Sequence, residues 1–221
     1  MMNLPDYCYC ATLPVEHTSQ RLSWLQQQGM TLPESLNRAV LKRQCEFLTG
    51  RLCARKALLA AGFSEMNDIA IGDFREPLWP EGIVGAITHS NDKAAAVIID
   101  SAANPAVNGV GIDIEPVMKE ETARDLCKQI LLPHEMAHHC SFSALSVYTT
   151  LVFSAKESLY KAIFPRVRQI LEFSCAAVTE VSSQQLTLTL QHDVSPQLSA
   201  GMSFRVLYEL SEQSVQTFVV V

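Results

Sequence analysis

The run from Val107 to Pro116, Val-Asn-Gly-Val-Gly-Ile-Asp-Ile-Glu-Pro, constrains the chain more than any other stretch. Val110, Ile112 and Ile114 alternate with Gly111, Asp113 and Glu115, and a period of two is the mark of a β-strand. One face is apolar and seeks a core. The other carries two carboxylates about 7 Å apart along the strand. Partly buried, such carboxylates repel, and one tends to hold its proton. A hard divalent cation such as Mg²⁺ removes that conflict, because it favours carboxylate oxygen together with substrate phosphate. Gly109 and Gly111 thin the strand where something must approach closely. On this segment alone, an edge strand with a solvated acidic face ending at Pro116 is the simpler reading.

The rest of the chain limits the classes open to it. Its 221 residues allow one large or two small domains. With 48% hydrophobic and 18% charged residues it can bury a real core. A net charge of −6 argues against a general nucleic-acid binder. No basic, apolar leader opens the sequence, and no segment reaches the length of a membrane span. The seven cysteines, an odd number with no CxxC pair, read as reduced thiols of a cytoplasmic protein. Charge is uneven: residues 34–61 carry Arg38, Lys42, Arg43, Arg51, Arg55 and Lys56 against Glu34 and Glu46, a local +4. Such an island suits an anionic ligand or an acidic partner, or simply a solvated helix face.

Hydrophobic spacing predicts a helix from Pro33 to Ala61, closed by Gly62. Arg51 and Arg55, four residues apart, then share a face where one phosphate could bridge them. A short helix is expected over 20–28, strands over 69–74, 84–88 and 94–100, and a proline-bounded loop over 75–80. The break at Asn104-Pro105 places a boundary near residue 106, dividing an N-terminal subdomain, 1–106, from a C-terminal one, 107–221. In the second half, helices are expected over 122–132, 134–140 and 145–164, the last ended by Pro165. Four strand-like runs over 175–181, 186–191, 203–210 and 215–221 suit an antiparallel meander. Helices and strands in each half make an α+β chain.

On the 145–164 helix, Ser154, Glu157, Ser158 and Lys161 fall at i, i+3, i+4 and i+7 and form one polar stripe. Glu157 and Lys161 alone would be a routine surface pair. Facing the Asp113/Glu115 strand across a cleft, the stripe would complete a set of three carboxylates and one lysine around a metal-bound phosphate. That is the equipment phosphoryl transfer needs.

Five stretches in order then resemble one family. They are Leu48-Thr49-Gly50-Arg51-Leu52-Cys53-Ala54-Arg55, Arg75-Glu76-Pro77-Leu78-Trp79-Pro80, Gly85-Ala86-Ile87-Thr88-His89-Ser90, Gly109–Glu115 and Phe153-Ser154-Ala155-Lys156-Glu157-Ser158-Leu159-Tyr160-Lys161. Asp113 and Glu157 lie 44 residues apart. The set resembles the 4′-phosphopantetheinyl transferases of the long monomeric type, and the second stretch the siderophore, enterobactin-type branch. The resemblance implies two similar α/β subdomains with the site in the cleft between them. It implies transfer of 4′-phosphopantetheine from coenzyme A to a serine of an apo carrier protein, releasing adenosine 3′,5′-bisphosphate. It implies Mg²⁺ on Asp113, Glu115 and Glu157, with Glu157 as candidate general base and Lys161 on the pyrophosphate. Arg51, Arg55, Arg75, Thr88 and His89 would hold the coenzyme A phosphates. Thr88 stands where the family usually has serine, and Phe153 where tryptophan is common.

A rival motif is His134-Glu135-Met136-Ala137-His138, which satisfies HExxH, with Glu157 19 residues on as a possible third zinc ligand. Pro133 directly before it would make it open a helix, and the motif leaves the other stretches unexplained.

Overall fold

The computed structural model describes residues 2–63 and 69–221. The chain divides into two compact units: Leu4–Val107, and Asn108–Val221 with residues 2–3. Each is a long helix lying on an antiparallel sheet, so the chain is α+β.

In the N-terminal unit, β1 (Cys8–Pro14), β5 (Lys93–Asp100) and β4 (Ile83–His89) form an antiparallel sheet in that order. Every residue of β5 from Ala94 to Ile99 is buried. Its three alanines let helix α2 (Leu41–Ala60) sit close, and the Cys53 thiol reaches the Ala94 carbonyl at 3.2 Å. Helix α1 (Ser19–Gln27) is capped by the Thr18 hydroxyl, which accepts from the Arg21 N–H. Its Leu25 packs with Met30 on Leu48 and Leu52 of α2.

Two sequence expectations need correction here. The helix foreseen from Pro33 begins only at Leu41, after a 3₁₀ turn over Glu34–Leu36. The side chain of Gln44 reaches back to the carbonyls of Leu36 and Asn37, at 3.0 and 3.2 Å, and so satisfies groups that a continuous helix would have used. At the other end Gly62, at φ +91°, closes α2 as expected, with the Phe63 N–H returning to the Leu58 carbonyl. The strand expected over 69–74 shrinks to β2 (Ala70–Ile71), paired with β3 (Pro77–Leu78). Between them a tight turn sends the Phe74 N–H to the Glu76 carboxylate at 2.9 Å and puts Arg75 at φ +67°.

In the C-terminal unit the sheet runs β6 (Val110–Pro116), β10 (Ser214–Val220), β9 (Ser203–Leu210), β8 (Gln185–Leu190), β7 (Ala176–Val181). The last four strands make the expected meander. Strand β6 adds to its end beside β10, with Asp113 opposite Thr217. Helix α4 (Leu145–Val167) packs on this sheet, and helix α3 (Glu120–Ile130) packs on α4. Leu151, Val152, Ala155, Leu159 and Ile163 of α4 share the core with Val178, Leu186, Leu188, Val206 and Val215. Helix α4 continues through Pro165 to Val167, past its expected end. In the exposed last turn the proline removes only one backbone bond, and Arg168, at φ +49°, closes it.

Gly111 of β6 and Gly109 just before it explain how α4 approaches. A Cβ at Gly111 would collide with the carbonyl of Ser158, and one at Gly109 with that of Ala162. What comes close to this strand is therefore the backbone of α4. Val110, Ile112 and Ile114, on the opposite face, are buried too.

Candidate active site

The polar face of β6 meets the polar stripe of α4 within one packed unit, where the sequence had placed them across a cleft. Asp113 is 2% exposed. Its Oδ1 accepts from the Lys161 ammonium at 2.6 Å, and its Oδ2 from the Ser154 hydroxyl at 2.8 Å. Lys161 also donates to the Ile112 carbonyl at 3.2 Å. Behind Ser154 lie Thr217 and Ser158: the Thr217 hydroxyl is 2.9 Å from Ser154 Oγ and 2.6 Å from Ser158 Oγ. Both serines and the threonine are wholly buried.

Glu115 and Glu157 stand at the half-buried margin of this cluster. Burial, then the neighbouring Asp113 charge, pushes the Glu115 carboxyl up to about 7; Lys161 opposes this and Glu157 adds to it. Glu157 is also raised, chiefly by burial, with Asp113 adding and Lys161 opposing. Asp113, Glu115, Glu157 and Lys161 thus feel one another directly. Among the described residues no three His, Cys, Asp or Glu side chains form a ready-made metal cluster. The unit instead presents carboxylates carrying more negative charge than one lysine offsets.

The basic island of the N-terminal unit surrounds a pocket of about 340 Å³ lined by Arg43, Arg51, Arg75, His89 and Glu46. Arg51 is 8% exposed, its guanidinium 4.9 Å above the Phe47 ring. Arg43 Nη1 lies 2.8 Å from His89 Nε2. A guanidinium can only donate, so Nε2 accepts and the His89 proton sits on Nδ1, 3.8 Å from the Glu46 carboxylate. Arg75 enters from a left-handed backbone conformation that disfavours a side chain, a cost of order 1 kcal/mol. Three guanidiniums against one carboxylate give the pocket an excess of positive charge that suits an anion.

Not every expected residue arrives there. Arg55 turns the other way and donates to the Gln28 carbonyl at 2.5 Å, tying α2 to the end of α1. It does not meet Arg51 over one ligand. Thr88, 3% exposed, lies on β4 beside the pocket and not in its lining. Sequence reasoning missed Arg43, although it counted the residue in the basic island. It also missed Thr217, whose place opposite Asp113 no local pattern announces.

The HExxH stretch is not a zinc helix. It lies in a 3₁₀ segment, Pro133–Ser141, whose three residues per turn do not stack positions four apart. Glu135 is fully buried and its oxygens are taken. They accept from the Leu132 N–H at 2.6 Å, the Val178 N–H at 2.7 Å and the Lys156 ammonium at 2.8 Å. His134 is exposed.

Comparison with known proteins matches both units to one family. Residues 109–214, which hold the carboxylate cluster, match the 4′-phosphopantetheinyl transferase superfamily, and residues 32–99, which hold the anion pocket, match the 4′-phosphopantetheinyl transferase N-terminal domain. The chain belongs to the 4′-phosphopantetheinyl transferases. Enterobactin synthase component D of Salmonella typhimurium is 35% identical over 175 residues, which are 79% of this chain and 69% of that protein. The Escherichia coli K12 protein of the same name is 38% identical over 151 residues, 67% of this chain and 66% of its own length. The 4′-phosphopantetheinyl transferase PptT of Mycobacterium tuberculosis is 38% identical over 156 residues, 68% and 66% of the two chains. Each alignment thus leaves about a third of the relative outside the match. Within the family pattern, Phe153 packs against Phe173 at 5.4 Å between ring centroids.

Proposed function

We propose that this chain transfers the 4′-phosphopantetheine group of coenzyme A to a serine of an apo carrier protein, with release of adenosine 3′,5′-bisphosphate, in the service of a siderophore or other secondary-metabolite synthetase. Asp113, Glu115 and Glu157 would hold Mg²⁺. The donor set suits it: all oxygen, hard, and electrostatically overcrowded, so that two of the carboxyls favour a proton where a cation would serve better. When bound, the ion would supply charge neutralisation at the pyrophosphate.

The chain's own groups divide the remaining work. Arg43, Arg51, Arg75 and His89 would bind the phosphates of coenzyme A. Lys161, anchored on Asp113, offers its remaining donor capacity to the phosphoryl oxygens and to the charge that grows on the leaving bisphosphate. Glu157, made more basic by its burial, would accept the carrier serine's proton. A bond forms from serine oxygen to the pantetheine-bearing phosphorus as the bond to the adenosine bisphosphate breaks. The seven free thiols suit action in the cytoplasm, and no described helix is long and apolar enough to cross a membrane. We take the working form to be a monomer.

The observation that carries this reading is Asp113, buried and shared between Lys161 and Ser154, with Glu115 and Glu157 beside it. The test is mass spectrometry of apo carrier proteins incubated with the chain, coenzyme A and Mg²⁺. A mass gain of one phosphopantetheine is expected with wild type and not with Asp113→Ala or Glu157→Ala. No gain on aryl, peptidyl and acyl carriers alike would overturn the activity. A gain retained by both variants would overturn the residue assignment.

A further inference from the structure

Buried hydroxyl protons can be counted, and around Asp113 the count sets which hydroxyl donates to which. The Ser154 hydroxyl donates to Asp113 Oδ2 at 2.8 Å, which uses its only proton. Thr217 is therefore the donor in its two 2.9 Å contacts, and its one proton is shared between Ser154 Oγ and the Ser154 carbonyl. That uses the Thr217 proton, so Ser158 is the donor in its 2.6 Å contact with Thr217 Oγ1, with the Thr217 carbonyl a longer second acceptor at 3.2 Å. The three hydroxyls form a directed chain, Ser158 to Thr217 to Ser154 to Asp113, in a site where none is exposed. Hydrogen bonds aligned in this way polarise one another. The chain ends on the oxygen of Asp113 that Lys161 does not hold.

We propose that Thr217 is a positioning residue for Asp113. Its hydroxyl fixes the direction of the Ser154 proton and so the tilt of the carboxylate toward its cation. This rests on the reading of Asp113 as a metal ligand. Nothing in the sequence near Asp113 points to Thr217, which lies on β10, the strand paired with β6, at the position facing Asp113. A hydroxyl at 217 does what an apolar residue of the same shape cannot: it accepts from Ser158 and donates to Ser154.

The test titrates Mn²⁺, followed by electron paramagnetic resonance, into protein saturated with coenzyme A. Asp113→Asn serves as the no-site control and carrier loading as a second readout. Thr217→Val keeps the shape and removes the hydroxyl; it is expected to weaken Mn²⁺ binding about 5- to 30-fold. Thr217→Ser, which restores the hydroxyl, is expected to stay within about 2-fold of wild type. Ser154→Ala is expected to weaken binding at least as much. Because Thr217 acts through Ser154, the double variant Thr217→Val/Ser154→Ala should be no weaker than Ser154→Ala alone. Wild-type affinity in Thr217→Val, or losses that multiply in the double variant, would overturn the inference. Should Thr217→Val not fold, unchanged binding in Ser154→Ala overturns it equally. A wild-type protein that binds no more Mn²⁺ than Asp113→Asn overturns the metal reading and this inference together. Normal loss in Asp113→Asn with none in Thr217→Val overturns this inference alone.

Discussion

Replacing Glu135 should be among the most damaging single changes in the C-terminal unit. Its carboxylate is fully buried and collects three donors: the N–H groups of Leu132 and Val178 and the ammonium of Lys156. Lys156 is itself 5% exposed, and it also donates to the Ile130 carbonyl. Glu135→Ala strands that cation and two amide donors. Removing one member of a buried pair costs about 3–5 kcal/mol, and each orphaned N–H adds about 1–3 kcal/mol where water cannot reach it. Lys156→Met leaves the carboxylate with two backbone donors and should cost less, about 2–4 kcal/mol. The double variant Glu135→Ala/Lys156→Met should cost at least about 2 kcal/mol less than the two single losses added together, since neither charge is left alone. The measurement is urea unfolding of all four proteins. It also carries a pH signature. Burial lowers the Lys156 pKa while Glu135 holds it up, so without Glu135 it falls further. A base whose folded pKa is depressed destabilises the fold below its unfolded pKa and ceases to do so above it. The Glu135→Ala penalty should therefore shrink as pH rises from 7 toward 10. A penalty under about 1 kcal/mol, or a cycle additive within about 0.5 kcal/mol, would refute the account of Glu135 as the clamp between the 133–141 segment, α4 and β7.

The remaining expectations are as direct. Glu115, raised to about 7, must lose its proton to take a cation, so Mn²⁺ affinity should rise about tenfold between pH 6 and pH 8; Glu115→Gln should flatten that dependence, and a slope unchanged by it counts against Glu115. Gly111→Ala should abolish carrier loading and lower the unfolding midpoint, because the new methyl meets the fixed carbonyl of Ser158 and not a movable side chain; a soluble, fully active variant would contradict the packing of α4 on β6. Arg43→Ala should raise the KM for coenzyme A about 10- to 100-fold, whereas Arg55→Ala should leave KM within about 2-fold and cost about 1 kcal/mol of stability through the lost Gln28 contact; equal KM effects would show that both guanidiniums meet the ligand. His134→Ala/His138→Ala should load carrier protein at the wild-type rate.

What was legible in the sequence divides along a physical line. Patterns that depend on one element's own geometry survive in the structure. The alternation of Val110 to Glu115 is a strand, the stripe from Ser154 to Lys161 is one side of a helix, and Gly62 ends α2 where the chain must turn left-handed. Patterns that need a second element survive unevenly: the β6 face and the α4 stripe do meet, but other pairings are redirected. A four-residue spacing puts Arg51 and Arg55 on adjoining positions, yet it cannot say that the end of α1 will present the Gln28 carbonyl and draw Arg55 away. The same spacing in His134 and His138 presupposes α-helix; Pro133 at the start and a glutamate turned inward to Lys156 produce a 3₁₀ segment instead. The metal-ligand candidates make the point most sharply. Asp113 and Glu157 are recognisable one at a time, but the environment that would tune them is assembled from a lysine on α4, two serines beside it and a threonine on the chain's last strand. Residues that react can be read from chemistry and spacing, because the reaction limits what they can be. Residues that hold them in place are limited only by the contacts of the finished fold, and many side chains besides serine and threonine would satisfy the strand or helix they occupy. Substitution at Thr217 separates these two kinds of constraint, since a valine there suits β10 as a strand residue and fails only at the hydroxyl's hydrogen bonds with Ser154 and Ser158.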